Sequence, residues 1–597
     1  MTGPRVVELP KRFAPGDGTA ARPVYFGAMG RQLFGWYHAA PQPTCAVVIC
    51  APIGDESTGW HRASRHWAAS LAKAGIAVLR FDYDGTGDSF GSLDDPGRVR
   101  AWSDSVDDAV DFLRTTSGAP RLVVAGIRLG ATLAMSAARD GRVHGLILWA
   151  PFATGRAYVR EGRAFTRLMG SADGSTSDIE QFGGLALKAE TVRELEAFDP
   201  LERAAALALP VLLVPRDEAS VDTALRERLT KAGANVDRQA LPGYGSVITD
   251  AHQGEVPVEL ITGTIRWLDE HFHSPSGVGS ESVSPAGALP EFRATARSNG
   301  VEESPVRIGS DGLFGVLSRP TAASPRQTAV VLVNSGAVYR VGPNRLYVTL
   351  AREWSALGYT VLRVDLGGLG DSPAPPDGEE NRPYPDHAVR DVESAVAALR
   401  GEGVERIVVG GLCSGAHTTF HAALRLDGLA GVMMMNPIVF YWKPSDPLDV
   451  GAWRLYVESQ HYKQSAMRWG SWVRVLKGKV NIAYVFRIAL RRGFEIARAK
   501  LTAVWRGWQS HAPAGEDAGH DLGRIARKGT DVLLLFSAGD PGLDFLTLNH
   551  ARELSQLQRG QNFRLHVVGD ADHTFSSLDA RLRASSLLTD HLLARHP

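Results

Sequence analysis

Cysteine is scarce in this chain, and features that mark secreted or membrane proteins are missing. Only 3 of the 597 residues are cysteines, too few for a disulfide scaffold, so we expect reduced thiols in a cytoplasm. No run reaches the roughly 18 apolar residues of a spanning helix, and residues 1–16 lack the apolar core of a signal peptide. These absences predict a cytoplasmic protein without membrane contact.

A surplus of either charge is also missing. The 65 Lys and Arg residues cancel the 65 Asp and Glu residues. Because broad nucleic-acid-binding surfaces carry a basic surplus, no nucleic acid partner is expected. Hydrophobic residues make up 44% and charged residues 22%, which is typical of a globular protein with material for more than one core.

An internal repeat divides the chain into two copies of one domain. GIAVLRFDYDGTGDS at Gly75–Ser89 recurs as GYTVLRVDLGGLGDS at Gly358–Ser372, and RLVVAGIRLGA at Arg121–Ala131 recurs as RIVVGGLCSGA at Arg406–Ala416. Matches that keep the same order and nearly the same shift indicate a duplicated unit. We therefore predict a first domain at 1–272, a Ser/Gly/Pro-rich flexible linker at 273–290 and a second domain at 291–597.

Each copy alternates short β-branched runs with amphipathic stretches, which predicts a doubly wound, mostly parallel sheet with crossover helices. Ligands of such sheets bind at the carboxyl ends of the strands. The predicted strands are Ala46–Cys50, Ala77–Phe81, Leu122–Ala125, Ala329–Val333, Thr360–Val364, Arg406–Val409, Val432–Met435, Asp531–Ser537 and Phe563–Val568, and the predicted helices include Ala63–Ala74, Ser105–Thr115 and Ala416–Leu424.

The second copy carries a candidate nucleophile between a strand and a helix. Gly411-Leu412-Cys413-Ser414-Gly415 has the Gly-x-nucleophile-x-Gly pattern, whose glycines permit a sharp turn that lifts one side chain above the sheet. The same pattern also fits a glycine-rich turn with an inert buried Cys413.

Two further residues complete a triad in the expected chain order of nucleophile, acid and base. Asp540 follows the strand Asp531–Ser537, and His573 follows the strand Phe563–Val568. Asp544, Asp570 and Asp572 are weaker candidates for the acid. In this arrangement His573 takes the proton of Cys413, and Asp540 orients the imidazole.

The expected oxyanion donors are backbone N–H groups. One belongs to Ser414, and the second comes from the loop Asn334–Ala337, donated by Ala337 or Gly336.

The first copy has lost the nucleophile. Its elbow, GIRLG, places Arg128 where Cys413 stands in the second copy, and a guanidinium cannot be deprotonated. Asp217 could occupy the acid position, whereas the base is missing after the last strand and His252 lies further on. Arg128 either contacts an anion such as a phosphate or, as we favour, pairs with a carboxylate such as that of Asp217.

The second copy also has a longer insertion before its acid, predicted to form a cap over about residues 441–509. Between Lys443 and Arg506 it has 13 Lys and Arg residues against four acidic ones. A basic entrance would attract an anionic acyl carrier, namely CoA or phosphopantetheine on an acidic carrier protein. The alternatives are a solvated basic helix face and an interfacial membrane helix.

These motifs resemble the α/β-hydrolase superfamily. NSGAVYRVGPNRLYVTLAR, DLGGLGDS and GLCSGA are similar to the first type of exosortase A system-associated hydrolase, and the Cys box is similar to that of polyhydroxyalkanoate synthases and dienelactone hydrolases. GIRLGA and the loop from Ala51 to Glu56 resemble the second type of exosortase A system-associated hydrolase. The resemblance implies two tandem α/β-hydrolase domains, each with a cap.

The resemblance and the triad together predict an acyltransferase, with no cofactor and no metal. It would take acyl groups from CoA or carrier-protein thioesters to a small-molecule or glycan acceptor in polysaccharide or natural-product assembly. A thioesterase or esterase with the same triad is the first alternative. A non-catalytic scaffold or carrier-docking protein is the second.

Overall fold

The computed structural model describes most of both copies. The described residues are 6–8, 21–138, 141–169, 178–182, 185–202, 207–216, 222–272, 295–321, 325–375, 379–442 and 517–597. The predicted linker at 273–290 and nearly all of the predicted second cap, from residue 443 onward, lie outside them.

The first domain is built on an eight-stranded sheet with the order β11-β10-β7-β6-β4-β5-β3-β2. β2 and β3 are antiparallel to their neighbours, and the other six strands are parallel. The strands are β2 Ala21–Phe26, β3 Leu33–His38, β4 Ala46–Cys50, β5 Ala77–Phe81, β6 Leu122–Ile127, β7 Gly145–Trp149, β10 Pro210–Val214 and β11 Asn235–Arg238, with a separate hairpin of β8 Ile179–Phe182 and β9 Leu185–Lys188.

The helices of the first domain cover both faces of its sheet, so that two apolar cores form, one on each side. They are α1 Glu56–Lys73, α2 Arg98–Ser117, α3 Leu129–Ser136, α4 Gly155–Met169, α5 Ala189–Ala197, α6 Thr223–Lys231, α7 Tyr244–Val247 and α8 Val258–Phe272. The insertion between β7 and β10 supplies α4, the β8–β9 hairpin and α5, as expected for a cap in this copy.

The second domain repeats this topology in the order β13-β14-β16-β15-β17-β18-β19-β20. β12 pairs with the outer edge of this sheet, and so does β1 (Val6–Glu8), which comes from the start of the chain. The strands are β12 Ala296–Ser298, β13 Val301–Ile308, β14 Leu313–Pro320, β15 Thr328–Val333, β16 Thr360–Val364, β17 Arg406–Leu412, β18 Gly431–Met435, β19 Asp531–Ser537 and β20 Phe563–Val568.

Helices again cover both faces of this sheet, with one buried cluster on each. They are α9 Leu346–Ala356, α10 Ala388–Gly401, α11 Ser414–Arg425, α12 Ala518–Arg527, α13 Pro541–Asn549, α14 Ala551–Gln558 and α15 Leu578–Arg595. The predicted doubly wound, mostly parallel sheets are confirmed in both copies. Among the helices and strands of the described residues, no helix has the length and apolar character needed to cross a membrane.

The two domains are joined by reciprocal ion pairs between repeat-equivalent residues. Arg80 of the first domain binds Asp371 of the second, and Arg363 of the second binds Asp88 of the first. Arg80 and Arg363 are 283 positions apart, as are Asp88 and Asp371. The same arginine–aspartate pair is thus formed twice, once in each direction between the domains. Such reciprocal contacts between equivalent residues are the pattern of an isologous dimer, here within one chain.

Further contacts seal this interdomain surface. Trp36 packs on Phe314 with ring centroids 4.7 Å apart. Arg340 is 1% exposed and lies 2.7 Å from a carboxylate oxygen of Asp88 and 2.8 Å from one of Asp371. Arg345 donates to three backbone carbonyls of the first domain, at Gly87, Ser89 and Gly91.

Candidate active site

Cys413 occupies a strained turn between β17 and α11. Its backbone has φ 58° and ψ −116°, a conformation that a residue with a side chain adopts only when its surroundings impose it. The flanking glycines allow close packing: a Cβ on Gly415 would lie 2.4 Å from the carbonyl oxygen of Asn334, and one on Gly411 would lie 2.6 Å from Gly415. The half-buried Cys413 side chain is a free thiol at the carboxyl end of the sheet.

Asp540 and His573 meet at the same end of the sheet. His573 Nδ1 donates to Asp540 Oδ2 over 2.7 Å, and both residues are at least nine-tenths buried. The second Asp540 oxygen accepts from the backbone N–H of Gly542, at the start of α13. Asn436 holds the histidine loop by donating to the carbonyl oxygen of His573. The predicted acid and base are therefore brought together.

The ionisation of His573 reflects its two neighbours. Burial favours the neutral ring, but the charge of Cys413 and the hydrogen bond with Asp540 outweigh it and raise the pKa of His573 to about 10. The raised pKa favours the imidazolium form, which is the form that a thiolate–imidazolium pair requires.

The other three candidate acids lie in the loops and the helix start near Asp540 and His573. Asp572 accepts hydrogen bonds from the backbone and hydroxyl of Ser576, and Asp544 lies in the first turn of α13. Asp570 has a left-handed backbone, with φ 49°, after β20. Among these four carboxylates, Asp540 is the one hydrogen-bonded to His573.

The loop after β15 faces the nucleophile. The N–H of Gly336 donates to Ser414 Oγ over 2.8 Å. Asn334 fixes the loop by donating to the carbonyl oxygen of Val338 and to Asp365. Since the Gly336 N–H is engaged by the Ser414 hydroxyl, Ala337 is the better placed of the two predicted loop donors.

Tyr384 is a residue of the site that the sequence did not indicate. Its hydroxyl lies near Cys413, and burial together with the charge of Cys413 raises the pKa of that hydroxyl. The Tyr384 ring stacks on Trp442 at 5.3 Å and meets the edge of His417 at 5.1 Å. It lies in an irregular segment between β16 and α10, where only the flanking Pro383 and Pro385 hint at a fixed loop.

His417 adds a second imidazole one helical turn after the nucleophile. Burial and the neighbouring His421 lower the pKa of His417 to about 3, so the ring is neutral. Its Nε2 is buried and has no hydrogen-bond partner among the described residues. A buried polar atom next to Tyr384 is available to a polar group of a substrate.

The equivalent position in the first domain has the same backbone but no nucleophile. Arg128 has φ 57° and ψ −127°, and its guanidinium binds Glu56 at 2.9 Å and Glu161 at 2.6 Å. Tyr244, in the segment after β11, lies beside the guanidinium. Arg128 is thus paired with carboxylates, as favoured from the sequence, but through Glu56 and Glu161; Asp217 lies outside the described residues.

A groove of about 470 Å³ lies between the two domains and borders Trp442. The first domain contributes Arg62 and residues 252–255, and the second contributes residues 379–382. His252 therefore lies in this groove rather than beside Arg128. Through Trp442 and Tyr384 the groove adjoins the Cys413 site.

In comparisons with known protein families, each of the two copies matches a family. Residues 41–179 match the family described as serine aminopeptidase, S33, and residues 330–584 match the one described as alpha/beta hydrolase family. No curated protein matches the chain.

Solved structures to which the chain is similar include three hydrolases and esterases. Est1E from Butyrivibrio proteoclasticus, solved with ferulic acid, is 21% identical over 42% of this chain and 99% of its own, with a TM-score of 0.33. The α/β hydrolase GrgF from Penicillium sp. sh18 is 18% identical over 43% and 100%, with a TM-score of 0.32. An esterase from Pyrococcus furiosus is 16% identical over 45% and 98%, with a TM-score of 0.31.

Proposed function

The chain contains two tandem α/β-hydrolase domains, and we propose that the second is a cysteine-dependent acyl-transfer enzyme while the first is catalytically inactive. The observation that carries the proposal is the strained Cys413 elbow next to a buried His573–Asp540 pair. An inert structural cysteine would need no buried His573–Asp540 pair beside it.

Catalysis would begin with attack of the Cys413 thiolate on the carbonyl carbon of a thioester or ester. A carbon–sulfur bond forms, and the carbonyl electrons move to oxygen as an oxyanion. When the tetrahedral intermediate collapses, the bond to the leaving group breaks, and His573 gives that group its proton. The product of this half-reaction is a thioacyl-enzyme on Cys413.

The oxyanion would be held by two backbone N–H groups. Ser414, the first residue of α11, supplies one at the positive end of the helix. Ala337 supplies the other, since the Gly336 N–H already binds Ser414 Oγ.

The second half-reaction would transfer the acyl group to an alcohol or amine acceptor, which is a small molecule or a glycan. His573, neutral after the first step, takes the acceptor proton as its oxygen or nitrogen attacks the thioester carbonyl, and Cys413 leaves as thiolate. His417 and Tyr384 offer polar groups for orienting this acceptor. If water takes the acceptor's place, the enzyme is a thioesterase or esterase.

The proposed acyl donor is a thioester of CoA or of an acidic carrier protein, in a cytoplasmic setting that keeps Cys413 reduced. The basic segment that motivates this donor lies outside the described residues, so the proposal rests on its composition. The first domain would act as a scaffold. Its Arg128, which is paired with Glu56, cannot attack a carbonyl group, and its two cysteines, Cys45 and Cys50, are buried.

A thioester panel tests the proposal. The full chain is incubated with acyl-CoA and acyl-carrier-protein thioesters, and its intact mass is followed with and without amines or sugars. A mass increase that is absent from Cys413→Ala supports a thioacyl-enzyme, and its discharge onto an acceptor rather than water distinguishes transfer from hydrolysis. A Cys45→Ala variant is the matched control, since this buried thiol lies outside the site. No adduct from a broad panel would contradict the proposal.

A further inference from the structure

Two histidines and an aspartate converge in the second domain, away from the Cys413 site. Asp531 is the first residue of β19, and His591 lies in the last turns of α15, with His596 just beyond its end. One ligand atom from each of the three side chains lies within 4.8 Å of the other two. Nε2 of His591 is 2.7 Å and Nε2 of His596 is 3.6 Å from Asp531 Oδ2.

All three side chains are buried, and four of their polar atoms lack a partner with hydrogen-bond geometry. Asp531 is 5% exposed, His591 8% and His596 1%. Asp531 Oδ2, His591 Nε2 and both ring nitrogens of His596 have no partner with hydrogen-bond geometry among the described residues. Each buried polar atom without a partner carries a desolvation penalty, and native proteins avoid leaving several of them together.

The backbone beside the cluster makes room for the imidazole. Gly431, the first residue of β18, pairs with Asp531 across the sheet. A Cβ at this position would lie 2.6 Å from His596 Nε2, so any other residue would push the ring out of the cluster. The space for His596 is therefore built into the strand next to Asp531.

We propose that Asp531, His591 and His596 bind a divalent transition-metal ion, with zinc as the best-suited ion. Two imidazole nitrogens and one carboxylate oxygen are ligands that zinc accepts, and water can fill a fourth position. A simple aspartate–histidine ion pair would account for His591 but would leave the buried His596 with only a 3.6 Å contact to Asp531 Oδ2. A metal ion at the centre satisfies all three residues at once.

The remaining contacts of Asp531 fit one-oxygen coordination. Its Oδ1 accepts from Arg595 Nε over 3.0 Å, which leaves Oδ2 for the ion. An outer-sphere hydrogen bond of this kind fixes the orientation of a metal-binding carboxylate. The Arg595 guanidinium also balances the negative charge of Asp531. We therefore expect the site to bind the metal ion less tightly than a site with a second free carboxylate.

The location indicates a structural role. Asp531 begins β19, whereas Asp540 follows its carboxyl end, and a seven-residue strand separates the two by about 20 Å. The ion would join α15 to the sheet from the side opposite the nucleophile, without contacting an acyl substrate. This inference is independent of the proposed acyl transfer.

Metal content and thermal unfolding of the full chain test the site. The Cys413→Ala background removes the accessible thiol, which could bind zinc itself; Cys45 and Cys50 are buried. The protein is stripped with chelator, loaded with Zn²⁺ and dialysed, and bound zinc and Tm are measured. His591→Ala and His596→Ala are compared with His271→Ala, a histidine in the last turn of the equivalent helix α8.

We expect about one zinc per chain in the background and in His271→Ala, with a zinc-dependent rise in Tm of about 3–8 °C at saturating metal. Both site variants should lose the ion and the rise. Replacement by Co²⁺ gives a second readout that needs no variant, a visible absorption band from a low-coordinate imidazole–carboxylate site. Absence of bound metal and of this band, or retention of the ion by both site variants, would overturn the proposal.

Discussion

At the scale of single residues, two side chains next to Cys413 differ in their chemistry. The pKa of His573 is raised to about 10 despite burial, which favours a positively charged ring. Tyr384 offers a neutral hydroxyl on a ring that stacks on Trp442. In the proposed mechanism, His573 would supply the acid–base chemistry, and Tyr384 would orient and stabilise the nucleophile.

Replacing Tyr384 by Phe keeps the ring stacked on Trp442 and removes only the hydroxyl. A hydroxyl that donates to a thiolate in the reactive form is worth about 1–2 kcal/mol, so on this proposal the alkylation rate of Cys413 by iodoacetamide at pH 7 should fall about 5- to 30-fold. A Tyr359→Phe variant, remote from the site, serves as the control. An unchanged rate in Tyr384→Phe would show that the hydroxyl does not act on the sulfur.

The ionisation of His573 should depend on Cys413. In the wild-type chain the ring keeps its proton as the pH rises and loses it near pH 10. In Cys413→Ala the charge of Cys413 is gone, whereas the lowering effect of burial and the raising effect of Asp540 remain, so the pKa of His573 should fall toward the ordinary value of about 6.5. Histidine-selective NMR titration, with His573→Gln to assign the resonance, measures both values. Equal values would mean that no thiolate–imidazolium pair exists.

Sequence motifs could reveal the site residues that directly follow a predicted strand. Cys413, Asp540 and His573 each follow an apolar strand, and the sheet topology carries Asp540 and His573 to one point. Tyr384 belongs to an irregular segment whose contact with Cys413 depends on tertiary packing, so no local pattern predicts it. Glu161 was missed for the same reason: it comes from the insertion that folds back over Arg128.

At the scale of elements, the two elbows share one backbone conformation despite unlike side chains. Arg128 and Cys413 differ by only about one degree in φ, so the strain is set by the strand–turn–helix packing and not by the chemistry of the residue. Apolar periodicity was sufficient to predict the strands, since Asp531–Ser537 and Phe563–Val568 are confirmed to the residue. Helix α1 begins seven residues before the predicted start because its first turns are only partly apolar.

The close approach at the second elbow gives a sharp prediction. In Gly415→Ala the added Cβ would lie 2.4 Å from a backbone oxygen that cannot rotate away, so we expect a loss of about 1–3 kcal/mol in unfolding free energy and at least about a tenfold loss of acylation rate. Gly569→Ala is the matched control, because no atom lies within 4 Å of its added Cβ. Urea denaturation and single-turnover acylation provide the measurements, and equal effects of the two substitutions would contradict the packing argument.

Restoring a thiol to the first elbow should not restore chemistry. Arg128→Cys places a nucleophile on the same strained turn, but Tyr244 stands where a base would be needed and Glu56 is left next to the thiol. We expect no acyl adduct on this cysteine in a Cys413→Ala background, together with a loss of stability of about 1–3 kcal/mol from the unpaired carboxylates. Peptide mapping of the acylated chain checks this, and an adduct on residue 128 would refute the view that the domain is inactive.

At the scale of the whole molecule, the two domains form a single body through repeat-equivalent charges. The Arg80–Asp371 and Arg363–Asp88 pairs are nearly fully buried, with Arg340 between them. The sequence revealed the duplication but not this contact, because the repeated Arg and Asp residues could equally have paired within each copy. Which copy supplies the partner is decided only by the packing of the two sheets.

The effects of the interdomain charges on the free energy of unfolding should be strongly coupled. Asp88→Asn removes one carboxylate partner from each of two buried guanidinium groups, those of Arg340 and Arg363, and should cost about 3–5 kcal/mol. Arg363→Met, which removes one cationic partner from each of the buried carboxylates of Asp88 and Glu303, should cost about as much. The double variant should lose less than the sum of the two. Calorimetry on the full chain measures the cycle, with the exposed pair partner Arg114→Met as a control expected to cost less than about 1 kcal/mol. Additive losses would show that the two charges act independently.

The most direct test of the central claim is the intact mass of the full chain after exposure to an acyl thioester under single-turnover conditions. We expect a single added acyl group on Cys413, which is absent from Cys413→Ala and forms much more slowly in His573→Gln. An adduct that persists in Cys413→Ala, or a chain that turns over thioesters without Cys413, would contradict the central claim.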